Sequence, residues 1–369
     1  MSPRETERIV AAIRDARIER RRTALATVVR VRGSAYRREG ARILVREDGS
    51  YECLLSGGCL EPAVAEAATG VIASGEPRII PYDLEEDSVW SVGIGCSGAV
   101  DILIERVGDD PVMTRWLDAL ERSEPAVLVK PLAGAVGRLL VFERDLAGTL
   151  GDPRLDDEAV LQARARLGAI LPDSGTAIVN AAELFFEVNA PPPPLVIFGA
   201  NSDAEPLARY GWDLGFAVTV VDVREAFLDP NRFPHATLVS AHFSQFTEKV
   251  DVDARSFVVI MNHHLERDRE SLRFALGTPA FYVGALGPTS RFRKLVRALE
   301  DDGANLDAAR LARVRSPVGL GVGAETPEEI AMSILAEMLA LQRGFDGGFL
   351  RGRDAGLHRP RSSSALARS

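Results

Sequence analysis

Residues 195–206 read Leu195-Val-Ile-Phe-Gly199-Ala-Asn-Ser-Asp-Ala-Glu-Pro206. Four consecutive apolar residues make a short strand buried on both faces. A glycine then turns the chain into a helical stretch that runs to about Leu214, with Gly215 placed to close it. The next apolar run, Val218-Thr-Val-Val221, ends at Asp222. Gly199, Asn201 and Ala204 occupy the three glycine positions of G-x-G-x-x-G, and Asp222 stands where an acidic side chain can accept from a ribose hydroxyl. Asn201 in place of the second glycine hinders the approach of a pyrophosphate and can itself take a left-handed conformation. Two readings of this βαβ unit stand side by side: a weak or absent NAD(P) site, or a Rossmann-like domain that binds something else or nothing.

Working outward, the alternation of strand and helix continues through Leu238-Val239, Phe257–Ile260 and Phe281-Tyr-Val283. This predicts a parallel α/β sheet with right-handed crossovers over residues 191–345. Asn262-His263-His264 follows a strand that ends at Met261, and in an open parallel sheet that loop faces the ligand crevice, which marks His263 and His264 as candidate binding residues. Gly287 through Arg291 can form an anion-binding helix start. Thr326-Pro-Glu-Glu329 is a capping box that opens a long helix to about Leu341. Beyond Gly344 the composition turns to Gly, Arg and Ser, and a disordered tail is expected over 346–369. Upstream, Pro191–Pro194 forms a stiff extended linker.

The part before the linker is expected to be a strand-rich α/β domain over 1–107, with an extension of less regular structure over 108–190. Strands are predicted at Leu25–Val31, Ile43–Val45, Tyr51–Leu55 and Val100–Val107. Between them lies Ser56-Gly57-Gly58-Cys59-Leu60-Glu61, followed by a helix with Pro62 in its first turn. Cys59 thus stands where a strand ends, two glycines turn the backbone and a helix begins. The helix N-terminus favours an anion, so the thiol there is biased toward thiolate, the form that attacks electrophiles and binds soft metals. The alternative is a buried structural cysteine beside a packing turn. Cys96, in Gly93-Ile-Gly-Cys-Ser-Gly98, is a second glycine-framed cysteine. Arg37, Arg38 and Arg42, in the loop Gly33–Arg42, can hold a phosphate or carboxylate, or belong to a solvated surface loop.

The bulk properties narrow the function. The chain has 369 residues, a net charge of −9 and three cysteines. No block of Lys/Arg interleaved with aromatics points to nucleic acid. No apolar window approaches the ~20 residues of a membrane span. The polar N-terminus and the lack of a cysteine framework suit a reducing cytoplasm.

These segments together resemble the xanthine dehydrogenase accessory factor family, XdhC/CoxI. The resemblance is carried by Ala26-Thr-Val-Val-Arg-Val, Ser56-Gly-Gly-Cys-Leu-Glu61, Gly95-Cys-Ser-Gly98, Val218-Thr-Val-Val-Asp222, Met261-Asn-His-His264 and Gly323-Ala-Glu-Thr-Pro-Glu-Glu-Ile330, in the family's order. It implies a molybdenum cofactor (molybdopterin) handling protein with Cys59 as a thiolate ligand to molybdenum. It further implies sulfuration of the cofactor with a cysteine desulfurase, delivery to an apo-molybdenum hydroxylase such as xanthine or carbon monoxide dehydrogenase, and a homodimer. The competing reading from the residues is an NAD(P)-dependent oxidoreductase built on the Rossmann domain. In place of the family's Gly-Ala-Gly-His turn stands Gly199-Ala-Asn-Ser202. In place of its Gly-Leu-Asp-Ile-Gly stands Gly319-Leu-Gly-Val-Gly323.

Overall fold

The structure, a computed structural model, describes residues 3–33, 35–83, 98–304 and 306–351. Its contacts divide the chain into two compact units that meet in sequence between Pro191 and Pro192.

The first unit contains, in order, α1 (Pro3–Ile18), β1 (Thr23–Gly33), β2 (Arg42–Arg46), β3 (Tyr51–Glu52), α2 (Glu61–Ser74), β4 (Arg78–Asp83), β5 (Gly98–Arg106), α3 (Pro111–Glu121), β6 (Ala126–Ala133), β7 (Arg138–Val141), β8 (Leu146–Thr149), α4 (Pro153–Leu167), β9 (Gly175–Val179) and β10 (Ala182–Asn189). They build two antiparallel sheets, in the orders β3-β2-β1-β5-β4 and β8-β7-β6-β10-β9. In the first sheet β3 and β4 lie at opposite edges, and α2 carries the chain from one to the other across the sheet's face. Val64, Ala68, Val71 and Ile72 of α2 pack there with Val28, Ile43 and Ile102. Residues 108–190, expected to be less regular, hold the complete second sheet and the 15-residue helix α4. Helix α4 buries only Leu155, Ala159 and Ala163, too thin an apolar stripe to announce itself in the sequence.

Strand β6 shows how the two sheets are assembled. Ala126 and Leu128 point into the core shared with the first sheet, whereas Val127 and Val129 point toward α4, the period-2 alternation of a strand covered on both faces. Lys130 continues the first of these faces. It is fully buried and pairs with Glu105 of β5 and, at 2.7 Å, with Glu187 of β10. Glu187 also receives Arg42 of β2, and Glu105 receives Arg138 of β7 at 2.6 Å. The sheets are therefore joined by a buried ladder of alternating charge beside a small apolar contact of Val29, Leu103 and Phe185.

The second unit contains β11 (Pro194–Phe198), α5 (Ala204–Asp213), β12 (Ala217–Asp222), β13 (Thr237–Ser240), α6 (Phe246–Lys249), β14 (Phe257–Ile260), α7 (Leu265–Gly277), β15 (Tyr282–Ala285), α8 (Thr289–Asp301), α9 (Ala308–Ala312), β16 (Val314–Arg315) and α10 (Pro327–Arg343). All six strands are parallel, in the order β13-β12-β11-β14-β15-β16. Counted within the sheet this is 3-2-1-4-5-6, the dinucleotide-fold order with its switch point between β11 and β14. The Rossmann-like sheet expected from the sequence is present. Gly215 closes α5 with φ of 90°: its N–H donates to Trp212 O and that of Phe216 to Gly211 O, a Schellman motif. Thr326 and Glu329 form the expected capping box at the start of α10.

Candidate functional site

Strands β1 and β3 run in the same direction, and Gly33 at the end of β1 faces Gly98 at the start of β5. The topology thus sends the Cys59 turn, the loop after Gly33 and the start of β5 to one end of the first sheet. Cys96 lies outside the described residues.

The Cys59 turn is built from beneath. Glu61, fully buried, accepts from Leu55 N–H at 2.8 Å, Ser56 N–H at 2.7 Å and Ser56 Oγ at 2.6 Å. Ser56 Oγ in turn accepts from the N–H groups of Cys59 and Leu60, each at 3.0 Å. Burial by itself would push the Glu61 carboxyl up; the Ser56 hydroxyl and the backbone donors of Ser56, Glu61 and Leu55 outweigh it and hold it below the ordinary carboxylate range. The positive end of α2 is therefore neutralised by a carboxylate of its own first residue. Ser56 and Glu61 form the scaffold of the motif, a role that their five-residue separation did not signal.

Above this scaffold the backbone is open. Gly57, Gly58 and Cys59 are exposed, and Gly58 takes φ of 107°. A Cβ added at either glycine would meet nothing within 4 Å, so Gly58 is required by its backbone conformation and not by crowding. The exposed thiol answers the choice left by the sequence: Cys59 is not a buried packing residue. Cys53 is, at 7 % exposure, and burial pushes its thiol up.

The three arginines proposed as anion ligands are all engaged by carboxylates. Arg37 pairs with Glu5 at 2.7 Å and Arg38 with Glu39 at 3.4 Å. Arg42 is 3 % exposed, bound to Glu187, and its guanidinium lies 6.0 Å from the Trp116 ring centroid. Arg42 is a structural cation of the sheet interface, and its place on a strand with both faces covered rules out contact with an external anion.

We expect the Glu61→Gln variant to lose about 1–3 kcal/mol for each buried donor left unpaired, read as a lower midpoint in urea. The deficit should shrink in acid. The folded carboxyl lies below its unfolded value, so the stability it contributes is present above that unfolded value and disappears as pH falls through the folded one. An unchanged midpoint at neutral pH would remove Glu61 as the scaffold.

In the second unit the other candidates converge on the switch point. Gly199, with φ of 111°, cannot carry a side chain, since its Cβ would stand 2.7 Å from Asn262 Cα and Met261 O. Asn201 is not left-handed. It uses its side chain as a bridge, donating from Nδ2 to Met261 O at 2.9 Å and accepting at Oδ1 from Arg224 Nη2 at 3.1 Å. Asp222 is also committed: it accepts from Ala200 N–H at 2.8 Å and from Arg224 Nη2 at 2.7 Å. Burial would raise this carboxyl, but Arg224 and the Ala200 amide hold it below its usual range. The sequence missed Arg224, which covers the acidic group expected to face a ribose. His263 and His264 diverge. His263, at φ of 57°, has Nε2 2.9 Å from Asp203 Oδ2, whereas His264 precedes α7 and lines a separate cleft. Arg291, expected at an anion-binding helix start, pairs with buried Asp268 at 2.6 Å.

Similarity to known proteins falls on both units. Residues 16–83, which include the Cys59 turn, match the XdhC and CoxI family model, and residues 195–338 match the XdhC Rossmann domain model. A Bacillus subtilis (strain 168) protein named as a probable subunit of xanthine dehydrogenase is 31 % identical over 324 residues, 86 % of this chain and 93 % of that protein.

The chain belongs to the XdhC and CoxI family.

Another relative, the molybdenum cofactor insertion chaperone PaoD of Escherichia coli (strain K12), is 26 % identical over 86 % of this chain and 83 % of its own. The crystal structure of a xanthine dehydrogenase from Bacillus halodurans superposes with a TM-score of 0.73 at 29 % identity, covering 93 % of this chain and 96 % of the other. The two family models leave out the whole of the second antiparallel sheet, although the charged ladder ties that sheet to the one bearing Cys59.

Proposed function

We propose that this protein is a molybdenum-cofactor maturation factor that carries the cofactor on the Cys59 turn and passes it to a molybdenum hydroxylase. The observation that carries the reading is an exposed thiol on a loop fixed by Ser56 and Glu61. The names of the relatives, one a cofactor insertion chaperone and one part of a xanthine dehydrogenase, agree with it.

The residues present fit such a cargo. A thiolate is a suitable donor for a soft-preferring metal centre. Cys59 would supply one protein ligand to a centre whose other ligands travel with it. The open backbone of Gly57 and Gly58 leaves room for a bulky group beside the sulfur. A single ligand on an exposed turn suits temporary custody better than permanent retention. Sulfur supply by a cysteine desulfurase, a homodimeric state and a cytoplasmic setting belong to this reading through the family resemblance. Among the described residues no helix is long and apolar enough to cross a membrane.

The oxidoreductase alternative is not carried forward, because Asp222 is engaged by Arg224 and Asn201 bridges the turn.

The test is purification from a cell that makes molybdopterin and from one that cannot, followed by metal analysis and fluorescence of the oxidised pterin. Molybdenum and pterin should accompany the protein from the first cell alone, and the loaded protein should activate an apo-hydroxylase. Equal pterin signal from both cells, or no activation, would reject the proposal.

A further inference from the structure

The second unit keeps one half of a dinucleotide site and has closed the other. A cleft of about 330 Å³ opens beyond the carboxyl ends of β12, β13 and β14, at the low end of the ~300–1,000 Å³ typical of ligand sites. Its walls are aromatic. Phe198 and Phe246, both buried with ring centroids 4.9 Å apart, form the floor. His242 and Phe243 form the rim, and Phe243 is 44 % exposed. An aromatic ring held at the mouth of a cleft offers a planar ligand a stacking face.

Two charged side chains of α7 line the same cleft, exposed Glu266 and half-buried Arg267. Neither has an ion-pair partner among the described residues. A carboxylate accepts from an exocyclic amino group and a guanidinium donates to ring nitrogen or carbonyl oxygen. The pair therefore matches the edge of an amino-substituted nucleobase.

The rest of a dinucleotide has no comparable place. At the turn, Asn201 spans to Met261 O, and the Asp203 carboxylate stands at the N-terminus of α5, where a pyrophosphate would need a positive field. Asp222 has no exposed side-chain surface, and the group presented over it is the Arg224 guanidinium, stacked on Phe227 at 3.8 Å. Arg224 does not itself line the cleft but follows Val223, which does, so a ligand extending past Val223 toward the turn would approach a cation suited to a single phosphate and not to ribose hydroxyls.

The geometry points to a nucleoside monophosphate as the ligand of this cleft, with the base between Phe243 and the Phe198–Phe246 floor, its edge on Glu266 and Arg267, and its phosphate toward Arg224. This site is independent of the cargo reading for Cys59.

The full chain is titrated calorimetrically with AMP, GMP, CMP, ribose 5-phosphate and NAD+. At least one base-bearing monophosphate should saturate, ribose 5-phosphate should bind about tenfold more weakly or not at all, and NAD+ should be no tighter than AMP. Phe243→Ala should weaken the preferred nucleotide by about five- to 150-fold, while Phe243→Tyr, which keeps the ring, should retain it. Arg267→Gln should weaken it with an unchanged circular dichroism spectrum. The proposal is overturned if none of the three monophosphates binds at millimolar concentration, if NAD+ binds more tightly than AMP, or if Phe243→Ala, folded as the parent, binds as well as the parent.

Discussion

Replacing Glu187 with alanine is expected to lower the melting temperature of the first unit by about 6–20 °C, from a loss of about 3–5 kcal/mol. The carboxylate stands between two buried cations, Arg42 and Lys130. Its removal leaves them facing a cavity, with Glu105 as the nearest remaining counter-charge on Lys130. Desolvation without a partner dominates that cost, so Glu187→Gln, which keeps the shape and some hydrogen bonding, should lose less. The ladder also sets the pH range of stability. Burial would raise Glu105 and Glu187, but Lys130 with Arg138 and Arg42 holds both below the ordinary range. Lys130 is held above its ordinary value by the two carboxylates, against burial. The carboxylate contribution is present above the unfolded carboxyl value and fails as pH falls through the lower folded values. The lysine contribution is present below its unfolded value and fails as pH rises through the higher folded one. A plateau between these limits should collapse on the acid side in the parent and be flatter in Glu187→Ala. Thermal melts of the two proteins across pH decide this, and a shift under about 2 °C at neutral pH would show that the ladder contributes little.

Cys59→Ser is expected to abolish retention of the cofactor and activation of the client hydroxylase, a loss of at least about tenfold, with the fold intact. Serine is nearly isosteric, but its hydroxyl stays protonated and is a poor ligand for a soft centre. The turn should survive, because its hydrogen bonds run through Ser56, Glu61 and the backbone N–H groups of Cys59 and Leu60. Alkylation supplies a readout that needs no cofactor. At neutral pH iodoacetamide should modify exposed Cys59 well before Cys53, whose thiol is buried and pushed up. Cys96→Ser should have the smaller effect on cofactor retention. Full retention and activation by Cys59→Ser would leave the cysteine without a part in custody of the cofactor.

Much of the second unit was legible because its strands are covered on both faces and read as unbroken apolar runs, Leu195–Phe198 and Phe257–Ile260 among them. Its helix ends also carry local chemistry, at Gly215 and Thr326, that does not depend on distant contacts. The ladder was not legible. Glu105, Lys130 and Glu187 each stand at or near the end of an apolar run, and nothing local shows that the strands of the other sheet bury them against one another. Arg42 was read as the end of a loop, whereas it opens β2 and is buried against Glu187 of the second sheet. At the Cys59 turn the sequence indicated strand, glycines and helix, but not that Glu61 folds back to accept from Ser56. At the switch point it marked Asp222, and could not show that Arg224, two residues on, lies over it.

The strand order of the first sheet bears on how the protein can be dissected. The matched segment that holds Cys59 stops at residue 83, directly after β4. Yet β5, from residue 98 onward, lies between β1 and β4. Excising residues 16–83 would discard the strand that joins the two halves of the sheet and leave β4 with nothing to pair with. It would also leave buried Arg42 without Glu187, its counter-charge in the ladder. The cysteine turn is thus a short motif in sequence whose support is collected from nearly two hundred residues of chain, and it cannot be cut out as a minimal carrier.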